Sequence, residues 1–133
     1  MESIMFQTND IKTVQVFLDY DPAADDVLPV WRAPAGATVV GAYATITNAL
    51  AGSGTNYFSL TLRNGGTAGT ATTTMGSAIG GTVGWTALVP AAWTISSGAL
   101  AAGELVQVVY DEEGTGTFTS LVVQIDYVFG EIN

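Results

Sequence analysis

Four carboxylates fall within eight residues, at Asp19, Asp21, Asp25 and Asp26, and carboxylate oxygens are the donors a hard cation such as calcium takes. The spacing departs from the twelve-residue calcium loop: no glycine stands at the sharp turn and no bidentate glutamate closes the set. These side chains therefore read as solvated turn residues that cap the local backbone around Pro22, and no metal is expected. A second acidic group, Asp111, Glu112 and Glu113, precedes Gly114-Thr115-Gly116 and reads as a hairpin tip whose like charges deter edge-to-edge aggregation. Two carboxylates could hydrolyse a glycosidic bond if they faced each other across a cleft at ~5 to 9.5 Å. Here the carboxylates cluster in turns instead. The chain has no cysteine and no histidine, so disulfides, thiol chemistry, histidine-based nucleophile activation and the usual zinc, copper and haem ligand sets are excluded. Gly65-Gly66 and Gly80-Gly81 lack the lysine and the Ser or Thr that follow a phosphate-cradling loop, which makes them turn punctuation. Neither an enzyme, a cofactor nor a small-molecule substrate is expected.

Charge narrows the partners further. Lys12, Arg32 and Arg63 are the only cations against 12 acidic residues, a formal charge of -9 that opposes tracking along nucleic-acid phosphates. Hydrophobic residues make up 48% of the chain and charged ones 11%, which excludes an acidic disordered tail. No apolar run approaches the ~18 residues of a membrane-spanning helix, and no basic region with a long apolar stretch opens the chain, so synthesis in a cytoplasm and no membrane partner are expected.

Contact with another macromolecule is the chemistry left. Trp31, Trp85 and Trp93, with Tyr43 and Tyr57, could stack sugars, but large aromatics also fill sandwich cores and subunit interfaces, and that is the preferred reading. Trp31, beside Pro29 and Arg32 on an expected edge strand, is placed at a contact surface. Ile4, Met5 and Phe6 are three consecutive large apolar residues in a terminus that would ordinarily be polar. They either anchor a partner surface or extend the first strand into the core.

The elements that must carry these residues are strands. Sixteen glycines and many Val, Thr and Ala give short β-branched segments separated by turn signals, and no helical period persists beyond two turns. Strands are predicted at Val14 to Leu18, at Val27 to Trp31 with Pro29 at an edge or bulge, and at Thr38 to Leu50 with Val40, Ala42, Ala44 and Ile46 on one face and a bend at Gly41. Phe58, Leu60 and Leu62 alternate cleanly with Tyr57, Ser59, Thr61 and Arg63. The stretch from Thr67 to Gly84, almost wholly Gly, Ala, Thr and Ser, reads as extended loop with at most a weak edge strand at Thr70 to Thr74. Short strands at Trp85 to Val89 and Trp93 to Ile95 precede two strong ones, Leu105 to Tyr110 and Leu121 to Phe129, joined as a hairpin. About eight strands in 133 residues predict an all-β, antiparallel β-sandwich of jelly-roll type, with residues 1–10 as an N-terminal arm and residues 11–133 as one domain. Its core candidates are Phe58, Leu60, Leu62, Val106, Val108, Tyr110, Val123, Ile125 and Tyr127.

The run from Asn48 through Tyr57-Phe58-Ser59-Leu60-Thr61-Leu62-Arg63 to Gly66, with the Gly-Thr segment after it, resembles small virion proteins of tailed bacteriophages. So do Leu100-Ala101-Ala102-Gly103-Glu104-Leu105-Val106-Gln107-Val108-Val109-Tyr110 and Leu121-Val122-Val123-Gln124-Ile125-Asp126-Tyr127-Val128, so that the likeness spans roughly residues 37 to 130. The family it resembles is that of capsid decoration, or head cement, proteins. The resemblance implies a jelly roll on the exterior of the virion, a homotrimer, and the major capsid protein as partner. Under it, Ile4, Met5, Phe6, Trp31 and Arg32 become candidates for capsid contact. A fibre or spike head domain that binds a host receptor or carbohydrate is the alternative the same style of sequence allows.

Overall fold

The computed structural model describes residues 10–19, 22 and 24–130. Nine strands follow in chain order: β1 (Lys12–Leu18), β2 (Asp26–Arg32), β3 (Ala37–Ile46), β4 (Tyr57–Asn64), β5 (Thr73–Gly80), β6 (Ala91–Ala92), β7 (Ala99–Leu100), β8 (Leu105–Glu113) and β9 (Leu121–Phe129). One sheet has the order β1-β9-β3-β6, with β7 also on β3, and the other the order β2-β8-β4-β5. Every pairing is antiparallel. First strand against last, second against next to last, and a middle pair β4-β5 is a hairpin rolled up on itself, which is the jelly roll.

Period-two alternation builds the core between the sheets. Phe58, Leu60 and Leu62 of β4, Val106, Val108 and Tyr110 of β8, and Leu121, Val123 and Ile125 of β9 are all fully buried, at roughly 1.5 to 3 kcal/mol for each large side chain. Tyr127, expected with them, packs against the core from a half-buried position. Trp85 and Trp93 are buried too: their indole N–H groups donate to the backbone carbonyls of Phe58 (3.1 Å) and Leu60 (2.9 Å), and Trp85 stacks on Phe58 at 5.0 Å between centroids.

Four sequence expectations are corrected. The long third strand ends at Ile46, and Val40 does not share the face of Ala42, Ala44 and Ile46, because the register against β9 shifts between Val39 and Gly41. That shift turns Val39 inward and Val40 out. The stretch from Thr67 to Gly84 is not mostly loop: β5 is an eight-residue strand, its inward residue Met75 fully buried. The short strands expected around Trp85 and Trp93 are isolated bridges, Leu50 to Trp85 and Gly76 to Ile95, while the regular pairing falls at β6 and β7. Finally, β8 and β9 are not a hairpin. They lie in opposite sheets, and Asp111, Glu112 and Glu113 are the last residues of β8, paired with Ser59, Phe58 and Tyr57 rather than crowning a tip. Two equally strong apolar strands separated by a Gly-containing turn carry no local signal for pairing with each other over crossing between sheets.

Candidate interaction surface

The connections gather at the two ends of the sandwich, and hydrogen bonds tie them down at each end. At one end Asn48 accepts from the backbone N–H of Thr119 (3.0 Å) and donates to the carbonyl of Thr117 (3.3 Å), Asn56 accepts from the N–H of Thr115 (3.0 Å), and Thr117 donates to the carbonyl of Pro22 (3.1 Å). Ser53 N–H donates to the carbonyl of Thr82 and Leu88 N–H to that of Ile46, at 3.0 and 2.8 Å. At the other end Glu104 accepts from the N–H of Ala101 (2.8 Å) and from Asn64 (3.1 Å), bonds that hold its carboxyl below the ordinary glutamate range.

The first end carries the feature that composition does not reveal. Val83, Leu88 and Val89, on the loop between β5 and β6, are 81%, 70% and 54% exposed. Leu88 also has φ of +65°, a left-handed conformation that costs a branched, bulky side chain about 1 to 2 kcal/mol. The N–H bond to Ile46 pins it there. The loop is tied to β3 at Ile46, and on the outer face of the same five-stranded sheet Phe17 of β1 (61% exposed) lies opposite Val122, and Val122 opposite Thr45, next to Ile46. One row further along the outer face is polar. Gln15 donates to Gln124 (3.1 Å), and Gln124 and Thr13 both donate to Asp126 (3.1 and 2.8 Å).

The residues singled out from sequence are not brought together at this surface. Ile4, Met5 and Phe6 lie outside the described residues. Trp31, on the edge strand β2, is half-buried, with its ring 4.4 Å from that of Tyr127, which in turn meets Phe129 edge-on at 5.3 Å. Arg32 beside it is exposed, and together they line a groove of about 260 Å³ with Pro29, Leu105 and Gln107. The four aspartates do not converge either: Asp19 accepts from Ser120 (3.1 Å), Asp25 from the N–H of Glu112 (2.8 Å) and Asp26 from its neighbour's N–H, Val27 (2.8 Å), while Asp21 lies outside the described residues. Among the described residues no three acidic side chains form a metal-holding group. Sequence reading missed Val83, Leu88 and Val89 because an apolar residue in a loop looks the same whether it points in or out. The usable signal was that Thr82 to Pro90 is apolar yet interrupted by Gly84 and Pro90, so that no strand could bury all of it.

Comparison with protein families, with curated proteins and with solved structures returns no match to this chain.

Proposed function

We propose that this chain is a structural protein of the virion of a tailed bacteriophage, which attaches to the outside of the capsid and stabilises it by contact with the major capsid protein. The observation that carries the proposal is the placing of Val83, Leu88 and Val89, all exposed, on a loop tied down by backbone hydrogen bonds, with Leu88 held at a positive φ. Strain retained at an exposed position is what a binding surface keeps and a purely internal optimum discards. The likeness of residues 37 to 130 to decoration proteins supports the identity of the partner. Action as a homotrimer, in which three modest contacts combine at high effective concentration, belongs to the same proposal. Trp85 and Trp93 take no part in it, since both are satisfied in the core.

Co-sedimentation with purified, undecorated heads of the parent phage tests this directly. The intact chain should pellet with heads at physiological salt and well above it, because apolar contact is little screened. Leu88→Asn combined with Val83→Ser and Val89→Ser should stay folded and remain in the supernatant. Deletion of residues 2 to 8 separates the contribution of Ile4, Met5 and Phe6 from that of the loop. An intact chain that never pellets, or one that binds a glycan array instead, would sink the capsid reading and favour the fibre-head alternative.

A further inference from the structure

Arg32 and Arg63, two of the three cations in the chain, share the outer face of the sheet β2-β8-β4-β5. Strand pairing arranges the outward residues of that face in rows. Arg32 lies opposite Leu105; then Pro29 opposite Gln107 and Gln107 opposite Arg63; then Val27 opposite Val109 and Val109 opposite Thr61; then Asp111 opposite Ser59, and last Glu113 opposite Tyr57. Cations thus hold one end of the face and carboxylates the other, with Val27, Val109 and Thr61 between. Asp25 joins the acidic end, where its carboxyl accepts from the N–H of Glu112. Arg63 and Asp111 are two rows apart, roughly 13 Å along the strands, too far for an ion pair within one chain. Among the described residues Arg63 bonds to the neutral amide of Gln107, neither arginine meets a carboxylate, and neither Asp111 nor Glu113 meets a cation. Glu104, beside Leu105, is committed to Asn64 and the N–H of Ala101. Relief follows charge. At the cationic end the turn 65–71 folds back over the face, where the Gly69 carbonyl accepts from Gln107 (3.2 Å). At the acidic end lies an open hollow of about 440 Å³ lined by Asp25, Asp26, Val27, Val109, Tyr110 and Asp111.

We propose that this face packs on the same face of a second copy of this chain, about a twofold axis that crosses the strands at the row of Val109. A face marked in this way is complementary to itself. Rotation about that axis reverses the strand direction and lays the row of Arg63 over the partner's row of Asp111, and the symmetry repeats the contact at the other end. Val27, Val109 and Thr61 meet their own counterparts at the centre, and the turn 65–71 of each copy comes down at the end of the partner that holds the hollow. Sheets packed face to face lie about 10 Å apart with their strands inclined by about 30°, a gap that an arginine and an aspartate side chain span together. Charge selects the occupant. A second copy gives each arginine a carboxylate and each acidic end a cation, whereas a wholly acidic surface would face Asp111 and Glu113 with like charge, and a wholly basic one would do so to Arg32 and Arg63. Both charged ends lie on one side of the domain, so the contact joins copies, or trimers, two by two and does not itself close a ring. It uses a different surface from Val83, Leu88 and Val89 and does not depend on what they bind.

Sedimentation velocity of the full chain from ~10 to ~200 μM, the range of weak complexes, should show the mass rising toward double, and raising the salt from ~0.05 to ~0.5 M should weaken this association several-fold by screening the end contacts. Two variants then give the face a single sign. Asp111→Lys with Glu113→Lys sets cations at both ends, and Arg32→Glu with Arg63→Gln leaves carboxylates alone. Arg32, Asp111 and Glu113 are exposed, glutamine at position 63 keeps a polar group beside Gln107, and far-ultraviolet dichroism checks that both variants retain their strands. Each variant alone should stay at its starting mass, while an equimolar mixture should regain the heavier species, a repair that mixing two misfolded chains would not give. No rise in mass at ~200 μM, a rise indifferent to salt, a variant that associates like the parent, or a mixture no heavier than its components would each overturn the proposal. Association lost in Leu88→Asn with Val83→Ser and Val89→Ser, but kept in both charge variants, would overturn it too and assign the contact to the apolar loop.

Discussion

Gly65 and Gln107 should behave as one unit, and a double-mutant cycle would show it. Gln107 is the one buried polar side chain among the described residues; its Oε1 accepts two bonds from Arg63 (Nε 3.1 Å, Nη2 2.9 Å) and its Nε2 donates to the carbonyl of Gly69 (3.2 Å). A methyl group at position 65 would fall 2.5 to 2.7 Å from three atoms of that same amide. Gly65 does not have a positive φ, so Gly65→Ala acts through space alone. It must displace the amide and should cost about 2 to 3 kcal/mol, from overpacking and the bonds lost with it. Gln107→Ala loses the same three bonds and leaves the half-buried Arg63 guanidinium without them, for about 2 kcal/mol. Were the two independent, the double variant would lose roughly 4 to 5 kcal/mol; because the new methyl occupies space the amide has vacated, the double should lose only about 2 kcal/mol, a coupling near 2 kcal/mol. Urea unfolding of the four proteins, with slopes compared for two-state behaviour, measures it. Additivity within ~0.5 kcal/mol would refute the idea that Gly65 and Gln107 act as one unit.

Other expectations follow from single contacts. Trp93→Phe removes the indole bond to the carbonyl of Leu60 in a fully packed site and should destabilise by about 2 to 3 kcal/mol, against under ~0.5 kcal/mol for Tyr43→Phe, half-exposed on the outer face. Leu88→Asn alone should leave stability unchanged or raise it slightly in thermal melts, since asparagine tolerates a positive φ, while weakening attachment to heads. Glu104 has a folded-state pKa below its unfolded value, so its contribution is present above the unfolded value and disappears as pH falls through the folded one. Glu104→Gln should therefore flatten the acid limb of stability against pH, and an unchanged limb would show that other carboxylates dominate it.

Strong alternation made most of the fold legible. β4 and β8 place an apolar residue at every second position with no glycine between, which marks the core face, and each of their six core candidates is buried. Where alternation was interrupted, reading failed for identifiable reasons. At Val39-Val40-Gly41 two consecutive valines left the inward residue undefined, and the bulge that decides it is made by pairing with β9, some 85 residues away. β5 has only Met75 and Ile79 as large apolar residues, too few to show a period; its place is set by β4 beside it and by Trp93, whose side chain lies where a Cβ on Gly76 would come within 2.9 Å. Glycine there is a packing requirement that low complexity disguises.

The interaction surface was less legible, because exposure belongs to the assembled sandwich and not to any segment of it. Phe17 and Val122 sit 105 residues apart and meet only through the β1-β9 register, and Leu88 is fixed beside β3 only because its N–H reaches the carbonyl of Ile46. Trp31 shows the same limit from the other side. Its size and edge position suggest a contact residue, yet β9 brings Tyr127 against the ring. Aromatic side chains near an edge can be claimed by whichever strand packs there first, whereas a β-branched or aliphatic residue held outward by a pinned backbone cannot turn in. On that reasoning the exposed Val83, Leu88 and Val89 are a better guide to the partner surface than any tryptophan. Substituting Trp31 with Phe should then lower stability by about 1 kcal/mol while leaving co-sedimentation with heads intact. If Trp31→Phe abolished attachment without loss of stability, the partner would be docking over the β2 edge instead, through the groove that Arg32 and Gln107 help to line.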